Sequence, residues 1–223
     1  MGNPVAFTTL LSAKYLQQNW FERAEYVPYS YEEAAICADH YEDMEHTPDQ
    51  PEVAESYRHL RTHLINQFKL LQNTGFQIIN GKGEHNYPNS EALRDDMRMG
   101  RIIYLPTYAN NGTNSEMPSD HPFAETVELG GRELLLNDVF RVVHDFYAHG
   151  AGHDFSPRGE HEAWNTHRKL LPRSAHLALW CETRAQSSWV NFGRHIREAE
   201  ERIPPAQRPY AAQKSGIPPQ HLI

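Results

Sequence analysis

LLLNDVFRVVHDFYAHGAGHDF, residues 134 to 155, is the stretch on which the reading of this chain turns. Its first half carries apolar residues at helical spacing. Its second half places His144, Asp145, His149, His153 and Asp154 close together, with glycines at 150 and 152. Buried polar groups need partners and buried charges need compensation, so such a cluster on an inward helix face calls for a specific role. Asn137 or Asp138 is placed to cap a helix beginning at Val139, and Gly150 with Gly152 ends it just past His149. Side chains five residues apart sit about 140° apart on an ideal helix, so His144 and His149 converge on one ion only if the helix opens near its end. Asp145 and His149, four apart, share a face without distortion, so spacing alone leaves both pairings open.

Working outward, GEHEAWNTHRKLL after Gly159 forms a second helix with the stripe Ala163, Trp164, His167, Leu170 and Leu171, and Glu160 lies one turn before Trp164. SAHLALWCETRAQSSWVNFG forms a third, which sets Glu182 in the stripe Ala178, Ala185, Trp189 with Gln186 one turn on. An ionised carboxylate on an apolar face needs a cationic partner. A metal ion is one, and Arg184 is a competing one. Two imidazoles and one carboxylate make the facial set that suits non-haem Fe(II) and oxygen chemistry.

On these residues the chain resembles the pterin-dependent aromatic amino acid hydroxylases. The H-D-F-Y-A-H of 144 to 149 and the later Glu182 in CETRAQ match the family's H-E-x-x-G-H and later Glu, with Asp145 in place of its Glu and Ala148 in place of its Gly. The resemblance implies His144, His149 and Glu182 as iron ligands and a reduced pterin as cofactor. NDVFRVVHDFYAH, RGEHEAWNTH, ETRAQSSWVNFG and YAAQKSGIPP together are similar to an uncharacterised domain of large polyvalent phage proteins, from about Tyr57 to the C-terminus. That second resemblance adds Glu160, Trp164, His167, Gln186, Trp189 and Asn191 to the same pocket.

The remaining sequence sets the frame. Val53, Tyr57, Leu60, Leu64, Phe68 and Leu71 predict a helix from Pro51 to about Gly75. FQII at 76 to 79, RIIYL at 101 to 105 and ETVEL at 125 to 129 predict short strands of one small sheet, with a loop over 108 to 120 and helix throughout after Gly131. The chain reads as one α+β domain, predominantly α. Residues 1–50 form an irregular helical segment, 51–202 the core with the small sheet in the N-terminal half, and 203–223 an extended, proline-rich strap.

Composition excludes several classes. A net charge of −8 over 223 residues, with no basic block, argues against a partner bound through nucleic-acid phosphates. Cys37 and Cys181 form no C-x-x-C pair, so neither a disulfide framework nor a thiolate zinc site is indicated, and a cytoplasmic setting is expected. No basic, apolar leader opens the sequence, Ala6 breaks the acylation pattern, and no apolar run is long enough to span a membrane.

The expected function is a mononuclear non-haem Fe(II) oxygenase or hydroxylase that uses dioxygen on a small amino-acid-like or nucleotide-like substrate. Its metal ligands are His144, His149 and Glu182. Asp145, Glu160 and His167 support the catalysis, and Trp164, Arg184, Gln186, Trp189 and Asn191 contact substrate. The alternatives are a zinc- or manganese-dependent hydrolase with Asp145 or Glu160 as base, and a non-catalytic accessory domain built on the same polar network.

Overall fold

The computed structural model describes residues 28–82, 87–109 and 117–223. The expectation of short helices within 1–27 lies outside the described residues, as does most of the predicted loop after Tyr108. The first described helix, α1 (Tyr31–Asp43), is a regular helix of 13 residues within the segment expected to hold only short helices and a loop. Ser30 caps it by accepting from the Glu33 amide, and Ala34, Cys37, Ala38 and Tyr41 form its buried face. Helix α2 (Pro51–Asn73) starts with proline at its first position and buries the predicted stripe. Gly75 then turns the chain at φ 80°, a left-handed conformation that favours glycine.

Strands β1 (Gln77–Asn80) and β2 (Arg101–Tyr104) pair in parallel, with Gln77 opposite Arg101 and Asn80 opposite Tyr104. A parallel pair needs a crossover, supplied by α3 (Ser90–Arg98), whose N-terminus is capped by Asn89. Strand β3 (Thr126–Leu129) pairs instead with β4 (Arg132–Leu135), so the single sheet expected from the sequence is two separate two-stranded sheets. Gly130 and Gly131 both take positive φ, which matches the twist of a two-residue hairpin turn. The hairpin also claims Leu134 and Leu135, which the sequence suggested for the start of helical structure.

Helix α4 therefore runs from Leu136 to Tyr147 without a side-chain cap. Asn137 and Asp138 sit in its first turn and hold the 107–109 turn: Asp138 accepts from the Thr107 amide at 2.7 Å, and Asn137 donates to the Thr107 hydroxyl at 2.9 Å. Helix α5 (Pro157–Lys169) follows, capped by Ser156. The third predicted helix is interrupted. α6 (His176–Trp180) widens into a π-helical turn over Cys181–Ala185 before continuing as α7 (Gln186–Phe192) and the short α8 (Arg194–Arg197).

One contiguous apolar core joins these elements, from Tyr41 of α1 through Leu60, Leu64 and Phe68 of α2 to Val139, Val143 and Phe146 of α4 and Leu179 and Trp180 of α6. Each such large side chain stabilises the fold by roughly 1.5–3 kcal/mol when fully buried. The C-terminal segment 203–223 is irregular apart from 3₁₀ turns at Pro205–Gln207 and Gln220–Leu222, and it packs along α1 and α7. Tyr41 donates to the Ala212 carbonyl at 2.7 Å, Lys214 reaches the Glu42 carbonyl, and Ser215 exchanges bonds with His46 and Thr47. The architecture is α+β and predominantly α. Among the described residues, no helix is long and apolar enough to cross a membrane.

Candidate metal centre

Two breaks in helical regularity build the site. The first is the end of α4, where Ala148 is distorted to φ −103° and ψ −67° and His149–Ala151 tighten into a 3₁₀ turn closed by Gly152 at φ 114°. That opening overcomes the angular mismatch between His144 and His149, whose rings stand edge to face at 5.1 Å. Helix α5 brings the third group. Its first turn approaches so closely that a Cβ on Gly159 would lie 2.2 Å from the Asp154 carbonyl oxygen. Glu160 is thereby set with Oε1 3.5 Å from His149 Nε2.

His144, His149 and Glu160 each offer one ligand atom, all within 4.8 Å of one another. Ligands on one ion at bond lengths near 2.1 Å stand at most about 4.2 Å apart, so closing on an ion takes a shift of roughly half an ångström. The far nitrogens are already oriented. His149 Nδ1 donates to the His153 carbonyl at 3.2 Å, which leaves Nε2 unprotonated in the neutral ring. His144 Nδ1 lies 3.3 Å from His167 Nδ1, so Nε2 is the nitrogen left to face an ion.

Electrostatics agree with a site that wants a cation. Burial opposes charge on His149, but Glu160 and Asp145 outweigh it and push the imidazole up to about 9. In the metal-free site a proton thus sits where an ion would. Burial, reinforced by the neighbouring imidazoles, holds His144 well below the usual histidine range, and burial alone brings His167 down to about 3. Asp145, pushed up to about 6 by burial against the attraction of His149, stands outside the trio.

Glu182, the ligand implied by the hydroxylase resemblance, is not in that trio. It lies in the π turn, the second break, and its partners are Tyr57, whose hydroxyl donates to Oε1, His121, with Nε2 3.2 Å from Oε1, and Gln186, which donates to Oε2 at 3.3 Å. Burial and the Glu182 charge keep the Tyr57 phenol protonated, well above its ordinary range. Glu182 nevertheless shares one open cavity of about 310 Å³ with His144 and Glu160. Phe140, Arg141, Phe155, Thr183, Asn191, Tyr210 and Gln213 also line it.

The other expected positions divide. Gln186 and Asn191 line this cavity. His167 backs His144 from behind. Trp164 is core, covered by the guanidinium groups of Arg168 and Arg184 at 4.5 and 4.7 Å. Arg184 points away from the cavity and donates to the Leu222 carbonyl. Trp189 faces the opposite side, where its indole donates to Glu42 and packs on His195. Cys181 is buried, with its thiol pushed up to about 12 by burial, which rules out a thiolate nucleophile at neutral pH. His153 is held by Thr166 and Glu162 and is not at the mouth of the site.

Sequence reasoning did not single out Tyr57 or His121 as partners of Glu182. Tyr57 was hidden as one member of a core stripe, and His121 belongs to no periodic element. The strap residues Tyr210 and Gln213 carried no local signal either. Compared with protein-family models, with curated proteins and with solved structures, the chain matches none.

Proposed function

We propose that the chain is a mononuclear non-haem metalloenzyme in which His144, His149 and Glu160 hold Fe(II), and that it oxidises a small substrate with dioxygen. The observation that carries this reading is the convergence of two buried imidazoles and one carboxylate, each from a fixed element, beside a cavity large enough for a small molecule. When bound, an iron held by three such groups offers open positions to dioxygen and substrate.

The chain's own residues supply the rest. His153 and His167 orient the two ligand rings. Phe140 stacks on His144 at 5.7 Å and Phe155 meets His149 edge-on at 4.8 Å, which gives the two imidazoles an apolar flank. The hydroxylase resemblance brings a reduced pterin as electron donor. The two free, buried cysteines suit a reducing, cytoplasmic setting.

One observation favours a second reading, hydrolysis by zinc or manganese. The cavity is lined by amides and hydroxyls and carries a further carboxylate, Glu182, a lining better suited to a bound water than to an oxidant. Metal preference separates the two. Fe(II) added under nitrogen is expected to bind at one ion per chain and to support substrate-dependent oxygen uptake, and His149→Ala should abolish binding while retaining the helical circular dichroism. Tight zinc that iron cannot displace moves the assignment to the hydrolase. A wild-type chain that takes up no divalent ion leaves only a structural polar network.

A further inference from the structure

We infer that the cavity beside the trio recognises a small organic cation, an ammonium or guanidinium group, through Glu182. The inference rests on the reading of that cavity as the substrate site, and not on which ion occupies the trio. Glu182 has a side chain only 1% exposed. Its hydrogen-bond partners, Tyr57 and Gln186, are both donors, and Phe123 N–H donates to His121 Nδ1 at 3.1 Å, so the neutral His121 ring carries its proton on Nε2, 3.2 Å from Oε1 without a hydrogen bond to it. Two donors and a third N–H close by suit a carboxylate and would leave a carboxylic acid proton with no acceptor.

The same tautomer argument keeps His121 from ligating a second ion at this end of the cavity. A carboxylate has about four acceptor sites. Tyr57 takes one of Oε1, His121 Nε2 lies over the same oxygen at 3.2 Å without bonding it, and Gln186 takes one of Oε2 through a long bond. One acceptor site on Oε2 is thus left on a buried group that lines the cavity. No lysine or arginine among the described residues comes within ion-pair distance of Glu182. A buried charge without a counter-charge is costly, and a cationic ligand supplies one.

The opposite walls fit the same ligand. Phe140, Phe155 and Tyr210 line the cavity, and Phe155 and Tyr210 remain substantially exposed at its mouth. Aromatic faces attract organic cations and discriminate poorly for neutral polar molecules. Arg141 also lines the cavity, but Asp138 and Asp145 on its own helix, three residues before and four after, offset its charge.

Calorimetric titration of the full chain, EDTA-treated and Fe(II)-loaded under nitrogen, with butylguanidinium, butylammonium and the neutral butyramide tests this. At least one cation should bind saturably, with the amide about tenfold weaker or more, the loss expected for a charge-assisted bond. Glu182→Gln should weaken cation binding about tenfold and leave metal stoichiometry unchanged. Tyr210→Ala, on the exposed strap, should weaken it about threefold.

Absence of saturable cation binding, or equal binding of the amide, overturns the inference. So does a folded Glu182→Gln chain that keeps its cation affinity, or one that loses its metal, since Glu182 is then a ligand of the ion. If Glu182→Gln does not fold, the amide comparison and Tyr210→Ala decide, and an unchanged affinity in Tyr210→Ala counts against the cavity. A chain that binds the cations but takes up no metal refutes the metalloenzyme reading and leaves this one standing.

Discussion

The end of α4 and the π turn between α6 and α7 are both places where a helix departs from its regular path to bring a polar side chain to the cavity. They achieve it by different means. At α4 the helix stops at Ala148, whose φ of −103° and ψ of −67° redirect the chain to His149, and Gly152 closes the turn in the left-handed conformation. At the π turn the helix continues, and the widened turn over Cys181–Ala185 seats Glu182 against Tyr57 while Gln186 remains one turn on. The first break assembles the His144, His149 and Glu160 trio from groups near one another in sequence. The second holds a single carboxylate with donors from distant elements. Helix termination is thus a way of gathering polar groups, and helix widening a way of aiming one group without losing the packing on either side.

The sharpest way to break this comparison is to exchange the roles of the two carboxylates. Glu160→Gln should lower Fe(II) affinity by about a hundredfold or more, measured by anaerobic competition with a chromophoric chelator, because a neutral amide replaces one of three ligands. If that chain instead retains full affinity, the trio is wrong and the π turn carries the ligand.

Acid should expose the same asymmetry. His167 has a folded-state value near 3 against an ordinary 6.5, so the unfolded chain binds a proton that the folded chain excludes. Stability is therefore unaffected above pH 6.5 and is lost as the pH falls from there towards 3. The slope contributed by this group is at most about 1.4 kcal/mol per pH unit. Urea midpoints of the EDTA-treated protein across that range should fall, and His167→Leu should flatten the decline. An identical slope in the variant would assign the acid sensitivity elsewhere.

The smallest expected effect is at the glycine that closes the 3₁₀ turn. Gly152→Ala forces an L side chain to φ 114°, at a cost of roughly 1–2 kcal/mol, and relaxation of that strain pulls His149 out of line. A lowered Tm with an equal or greater proportional loss of metal affinity is expected. A lowered Tm with metal binding unchanged would show that the turn's geometry serves stability alone.

The two breaks also differ in how far they could be read beforehand. Glycines at 150 and 152 announce a helix end, so the opening that lets His144 and His149 meet was legible, as was the need for a carboxylate from another helix. Which carboxylate was not. Glu160 and Glu182 both lie on inward stripes, and a π turn shifts the phase of a stripe with no special residue to mark it. The α2 stripe and the strand segments were legible because their periodicity is local. Helix α3 was missed because it has few apolar residues, Leu93 and Met97 forming its large buried face. The second sheet was missed because Leu134 and Leu135 fit a strand or a helix equally well, and only the paired positive-φ glycines settle the choice.

The spacing of these contacts along the chain also gives the site an order of assembly. His144, His149 and Glu160 span one α4–α5 hairpin, whereas Glu182 meets Tyr57 across 125 residues and the Tyr41 hydroxyl meets the strap across 171. Loop closure of that length costs entropy that must be met before the contact forms, so the long-range pairs come late in folding. The trio is therefore assembled before the chamber that covers it, and if it holds an ion as proposed, a divalent ion present during folding would be captured by a nascent hairpin rather than admitted through a finished protein.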